Sequence, residues 1–243
     1  YPAAFFAALI NSQPMGFYSI HALVQAAKRS LVPILSPCVN VSTWDVTLEK
    51  DKGVWGIRLG LRLIRSLSKA GAERLVQERS KLPNRRYKDI RELQQRCKMS
   101  RSDLTALAAA NTFAVFSYSR RDCLWLAEAT PVFQDLLDTE DHVVWQQESE
   151  LEQAHYDFDA LGLSLGKHPT QIVIRDGWPY SSCQPQELTG AKNLSSANNR
   201  QMAFVFGLVL TVQAPPAANG MVFITLEDHT GHINLVLHPR IYN

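Results

Sequence analysis

Between Arg58 and Arg101 the chain carries 14 Lys or Arg against 4 Asp or Glu, and between Asp122 and Ala160 it carries 11 Asp or Glu and no Lys or Arg. A net of about +10 thus faces a net of −11, which the overall formal charge of +2 conceals. Charged side chains are almost never fully buried unless paired, so both blocks must form surface, with apolar residues spaced to supply a core beneath it. Charge segregated on this scale points to a part that holds a polyanion and a part that avoids one. Two solvated faces that attract each other are the plainer reading of the same pattern.

Inside the basic block the spacing is helical and repeatedly interrupted. In "GLRLIRSLSKAGAERL", Leu61, Leu63 and Ile64 start a short helix, Ser66-Leu67-Ser68 breaks it, and Ala72, Leu75, Val76 and Arg79 set a second stripe. Ser68 is placed to cap that second helix. After the basic loop "KLPNRRY", Ile90 to Cys97 and Ser102 to Ala110 read as another helical pair, ending at "ANTF". Two helix-turn-helix units in tandem are expected. A helix-hairpin-helix turn can present backbone N–H groups and a helix N-terminus to a phosphate, and Arg62, Arg65 and Lys69 flank the first turn.

The rest of the chain reads as an α+β protein of several modules. Tyr1 to Ile10 and Ile20 to Ser30 have helical spacing around the breaker "NSQPMGFYS", "VPIL" is a brief strand, and Thr43 to Leu59 alternates as a β-hairpin turning at "KDKG". The acidic stretch reads as surface helices and linkers, and Thr189 to Arg200 as a long loop or boundary. Alternation from Met202 to Val212, then Met221 to Leu226, then Ile233 to Leu237, predicts a three-strand antiparallel meander with Phe204 and Phe206 on its core face. With 46% hydrophobic residues the chain can bury a core, and no run is long enough to span a bilayer. A soluble, cytoplasmic protein is expected. The opening at Tyr1 suggests a piece of a longer polypeptide.

Few residues carry chemistry of their own. Cys38, Cys97, Cys123 and Cys183 are too scattered for a zinc or redox motif and read as reduced and structural. Asp157 and Asp159 in "DFD" could hold two magnesium ions from a strand, but their helix-like setting beside His155 reads as structural. His229 and His232 in "HTGH" have loose metal spacing on a turn. "TPVF" is a good helix start with Thr130 as cap, or a short motif presenting Val132 and Phe133 to an apolar pocket. Phe204, Phe206 and Phe223 are also candidates for stacking on bases.

The order of "YPAAFFAALINSQPMGFYS", "ILSPCVNVSTWDVTLE", "IRLGLRLIRSLSKAGAERLV", "ALGLSLGKHP" and "GLVLTVQAPPAANGMVFITLEDHTGHINLVLHP" resembles the C-terminal half of bacterial C-family DNA polymerases, over nearly the whole chain. "NSQPMGFYS" resembles the error-prone branch more than the replicative polymerase III alpha subunit. The resemblance implies the end of the fingers region over 1–50 and a β-hairpin with tandem helix-hairpin-helix units over 51–119. It implies an acidic segment over 120–160, a connecting helix and loop over 161–199, and a partial OB-fold over 200–243. Arg62, Arg65, Ser66, Leu67, Ser68 and Lys69 are then the expected DNA contacts. Pro131, Val132 and Phe133 would be the sliding-clamp contact, without the upstream glutamine and the leucine of a typical motif.

The implied activity is DNA-directed DNA polymerisation in damage-induced translesion synthesis, the SOS response, with accessory mutagenesis proteins as partners. Two-metal nucleotidyl transfer with Mg2+ would take place in a palm outside this chain, leaving no catalytic or metal-binding residue here. A stand-alone DNA-binding or scaffold module, or part of the replicative enzyme, are the alternatives. The family's turns carry glycine, whereas here Ser66-Leu67-Ser68 and "ANTF" stand at the two expected turns.

Overall fold

Serine and aspartate set most of the helix starts. Ser19, Ser68, Asp89, Ser100 and Ser149 each precede a helix and accept a hydrogen bond from an amide of its first turn, which would otherwise lack a partner. The structure is a computed structural model, described for residues 1–16, 18–128, 147–179, 182–194 and 196–242. The chain divides into two compact units, 1–165 and 166–243.

The first unit opens with α1 (Pro2–Asn11) and α2 (Ile20–Arg29), followed by β1 (Ile34–Leu35), β2 (Thr47–Asp51) and β3 (Val54–Arg58). The sheet order is β1-β3-β2, with β1 parallel to β3 and β2 antiparallel to it. The register pairs Asp51 with Val54, leaving a two-residue turn in which Lys52 and Gly53 both have left-handed φ, 47° and 86°. That conformation matches the twist of a tight hairpin and suits the glycine. A 3-10 turn at Leu61–Leu63 leads to α3 (Lys69–Ser80), α4 (Ile90–Cys97), α5 (Arg101–Ala109), α6 (Arg120–Glu128) and α7 (Glu150–Leu161).

Leu59, Leu61, Leu75, Leu93, Leu104, Leu107 and Phe113 are fully buried at the centre of this unit. The basic block therefore supplies both the core and the charged surface over it. Where it is described, the acidic stretch forms helices as expected, but these also reach into the core. Arg120, Cys123, Leu126 and Ala127 of α6 and Ala154, Asp157, Ala160 and Leu161 of α7 are buried. The second helical pair forms where expected, as α4 and α5, but "ANTF" is not its turn. Its turn is Lys98 to Ser100, between α4 and α5, whereas "ANTF" follows α5 and leads to α6.

The second unit holds α8 (Pro169–Asp176), a short α9 (Ala191–Leu194) and the antiparallel sheet β4 (Leu208–Gln213), β5 (Val222–Asp228) and β6 (Gly231–Leu237), in the order β4-β5-β6. The predicted meander forms, but its first strand starts at Leu208 instead of Met202. Phe204 makes a single bridge to Leu188 and is 47% exposed, so it is not a core residue. A bulge between Val209 and Thr211 shifts the side-chain alternation, so Val212 beyond it is exposed instead of sharing the half-buried face of Leu208 and Leu210. Phe206 packs edge-on against Trp178, with ring centroids 5.0 Å apart. No closed barrel forms among the described residues, so the sheet is an open three-stranded one.

Candidate nucleic-acid interface

The first turn runs from Ile64 to Ser68. Ser66 has φ of 63°, so a serine takes the left-handed conformation that glycine usually supplies there. Leu67 is buried and anchors the turn to the core, and the Arg65 amide donates to the Ala160 carbonyl at 2.8 Å. In the second turn Lys98 is the left-handed residue, with φ of 46°. Gln94 closes that turn from both sides: its Oε1 accepts from the Met99 amide at 3.1 Å and its Nε2 donates to the Met99 carbonyl at 3.2 Å.

The two turns meet at one carboxylate. Asp103 Oδ1 accepts from the Ser68 amide at 2.8 Å, and Oδ2 accepts from the hydroxyls of Ser68 at 3.0 Å and Ser100 at 2.9 Å. Each serine hydroxyl in turn accepts from its own helix, Ser68 from the Gly71 amide and Ser100 from the Asp103 amide. The N-termini of α3 and α5 therefore converge, and the amides of Lys69 and Ala70 lie in the first turn of α3, ahead of the Ala72 amide, which bonds the carbonyl of the Ser68 cap. Helix N-termini carry partial positive charge and favour anions.

The six residues expected to hold DNA have different environments. Lys69 is 65% exposed at the start of α3, with its ammonium 3.7 Å from Glu73 and 6.0 Å from the centre of the Trp44 ring. Arg65, Ser66 and Ser68 are exposed, although Arg65 Nη1 reaches the Asp159 carbonyl at 3.4 Å. Arg62 is committed to the fold. Its Nη1 donates to the Asn11 carbonyl at 3.1 Å and to Asp45 Oδ1 at 3.0 Å, and its Nη2 donates to the Gln13 carbonyl at 2.8 Å. Leu67 contributes from below, as packing.

Arg65, Ser66, Arg101 and Ser102 line a groove of about 530 Å3 together with Thr105 and Tyr156, and Glu128 and Asp159 also border it. Arg101 is ion-paired with Glu128. Behind the turns the loop before α4 is fixed by Asn40, which exchanges two hydrogen bonds with the backbone of Tyr87, at 2.8 and 2.9 Å. The Tyr87 hydroxyl donates to the Leu75 carbonyl at 2.7 Å and lies 3.1 Å from Cys97 Sγ. Burial pushes the phenol well above its usual range, and it stays neutral. Burial also pushes the Cys123 thiol up to about 12.

The other candidates resolve as structural. Asp157 is buried and paired with Arg120 at 2.8 Å, whereas Asp159 is exposed beside His155, so the two carboxylates do not form a metal pair. His232 Nε2 lies 3.3 Å from the buried Glu227, and His229 is exposed on the turn before it. The four cysteines are free thiols, as their spacing implies. Pro131, Val132 and Phe133 lie outside the described residues. Asp103, Ser100, Gly71 and Lys98 escaped the sequence reading. The pattern Ser100-x-x-Asp103 is a helix-start signature that could have flagged the start of α5, although not the reach of Asp103 to Ser68.

A family model described as a helix-hairpin-helix motif matches residues 31–123. Among curated proteins, the chain is 38% identical to the error-prone DNA polymerase of Ralstonia nicotianae, over 99% of its own length and 22% of that protein's. It is 39% identical to the protein of that name from Vibrio parahaemolyticus and 37% identical to the one from Teredinibacter turnerae, each over 98% of this chain and 23% of the relative. The chain spans less than a quarter of the length of the curated relatives it matches.

Proposed function

We infer that this chain, homologous over nearly its whole length to a segment of proteins named error-prone DNA polymerase, is the part of such an enzyme that grips duplex DNA. The observation that carries the reading is the convergence of two serine-capped helix N-termini on Asp103, with Lys69, Arg65 and Lys98 exposed around them. The matched helix-hairpin-helix motif covers both turns. Amides at the start of α3 and the cations beside them suit phosphate oxygens on the DNA backbone, which position a protein without reading sequence.

The intact enzyme on this reading is a DNA-directed DNA polymerase that adds dNTPs opposite damaged template in the cytoplasm. Bound Mg2+ would activate the primer 3′-hydroxyl and stabilise the departing pyrophosphate. The residues here do not fit that site, since Asp157 is held by Arg120 and Asp159 stands apart from it, and no step of the reaction is assigned to them. The share of this chain is grip, with the open sheet of the second unit, read as part of an OB-fold, handling template. A clamp contact through Val132 and Phe133 and docking of accessory mutagenesis proteins complete the proposal. Loss of pull-down by the clamp on replacing both residues with alanine supports that contact, and an unchanged pull-down removes it.

The central test is binding of the 243-residue chain to a duplex across a salt series. Each phosphate neutralised contributes about −0.9 to the slope of log affinity against log salt, so three engaged cations give roughly −3. A flat response overturns the reading.

A further inference from the structure

We propose that Asp103 is a positioning residue for DNA, a clasp that holds the two hairpin turns at one spacing so that neighbouring phosphates of a duplex meet both. The proposal rests on the DNA-grip reading above. Asp103 is only 4% exposed, and its carboxylate accepts from three donors, two of them on a segment 35 residues earlier in the chain. Oδ2 takes the hydroxyl hydrogens of both N-cap serines, so the starts of α3 and α5 stand two hydrogen bonds apart.

Gly71 belongs to the same device. A Cβ at this position would lie 2.6 Å from Asp103 Oδ2 and 2.8 Å from Ser68 Oγ, so any larger residue displaces the carboxylate. The electrostatics sharpen the inference. A carboxylate beside two helix N-termini offsets their positive ends and repels phosphate, so on charge alone its removal should strengthen DNA binding. Geometry works the other way, because only the carboxylate ties one turn to the other. The two effects make opposite predictions.

Asp103→Ala and Asp103→Asn separate them, since both remove the charge but only Asn can still accept from the Ser68 amide through Oδ1 and face the two hydroxyls with its Nδ2. Binding of each 243-residue variant to one duplex is measured across a KCl series at a temperature where circular dichroism shows it folded. The clasp predicts that Ala weakens binding about tenfold and flattens the salt slope by about one phosphate, while Asn keeps the parental slope. Gly71→Ala, which leaves the charge and displaces the carboxylate, should resemble Asp103→Ala and stands in for it should that variant fail to fold. Equal, parental-or-tighter affinities for Ala and Asn overturn the proposal.

If the parent chain itself does not bind duplex, the DNA reading fails, and amide exchange then tests the clasp. Protection should fall at Ser68 and Gly71 as well as at the amide of position 103 in the Ala variant and persist in the Asn variant. Loss confined to the start of α5 refutes the clasp.

Discussion

Arg120 Nη2 and Asp157 Oδ1 lie 2.8 Å apart, with both side chains more than nine-tenths buried, and they join α6 to α7 across 37 residues of sequence. The guanidinium also sits 5.2 Å from the centre of the Tyr156 ring, and Asp157 Oδ2 accepts from the Leu165 amide at 3.0 Å. Removing one partner of a buried pair leaves the other charge uncompensated, which costs about 3–5 kcal/mol. Asp157→Ala should therefore lower the unfolding free energy of the first unit, measured by urea titration, by that amount. Asp159→Ala, on an exposed side chain, should leave it within about 0.5 kcal/mol. Equal effects would mean that the pair is not the link between these helices.

Tyr87 anchors the loop between the two hairpins through its hydroxyl bond to the Leu75 carbonyl and through both backbone bonds to Asn40. Tyr87→Phe removes only the hydroxyl, a loss of about 1–2 kcal/mol. Asn40→Ala strips a buried N–H and a buried carbonyl of their partners and should be the more damaging of the two, by thermal or urea unfolding. The reverse order would place the anchor in the hydroxyl.

How far the sequence discloses this arrangement depends on whether the controlling interaction is local. Ser68 as a cap, the tight turn at Lys52-Gly53 and the stripe of Leu75 and Ala72 follow from near neighbours, and all are present. The second helical pair is legible too, whereas the residues that make its turn are not, because Lys98 takes a left-handed φ without being glycine and Gln94 rather than a recognisable turn residue closes it. Arg62 looks like a free cation in a basic run, and only the distant carbonyls of Asn11 and Gln13 reveal its commitment. Asp103 is an ordinary helix-start acid in sequence. Its reach to Ser68 is a tertiary fact. The bulge in β4 likewise depends on pairing with β5.

Arg62 and Lys69 should separate stability from affinity. Lys69 is exposed with a weak i,i+4 partner, so Lys69→Ala should leave the melting temperature nearly unchanged and make the salt slope shallower by about one contact. Arg62→Ala removes three hydrogen bonds to the end of α1 and to Asp45, and should lower stability by about 1–3 kcal/mol with a parental salt slope. Calorimetry and the duplex titration on the same samples decide this. A slope change for Arg62→Ala in a fully folded sample would return that residue to the interface.

Asp228 makes the second unit sensitive to acid. Burial alone would raise its pKa, but the Ala191, Thr230 and Gly231 amides and the Thr230 hydroxyl donate to its carboxylate and hold the pKa below the ordinary aspartate value. A depressed folded pKa means that the ionised form stabilises the fold. That contribution is complete above the unfolded value of about 3.9 and is lost as pH falls through the lower folded value. Amide protection at Ala191, Thr230 and Gly231, corrected for intrinsic exchange, should therefore fall between about pH 4 and pH 2. In Asp228→Asn it should be low at pH 6 and nearly independent of pH over the same range. A parental pH profile in that variant would show that Asp228 is not the source of the acid sensitivity.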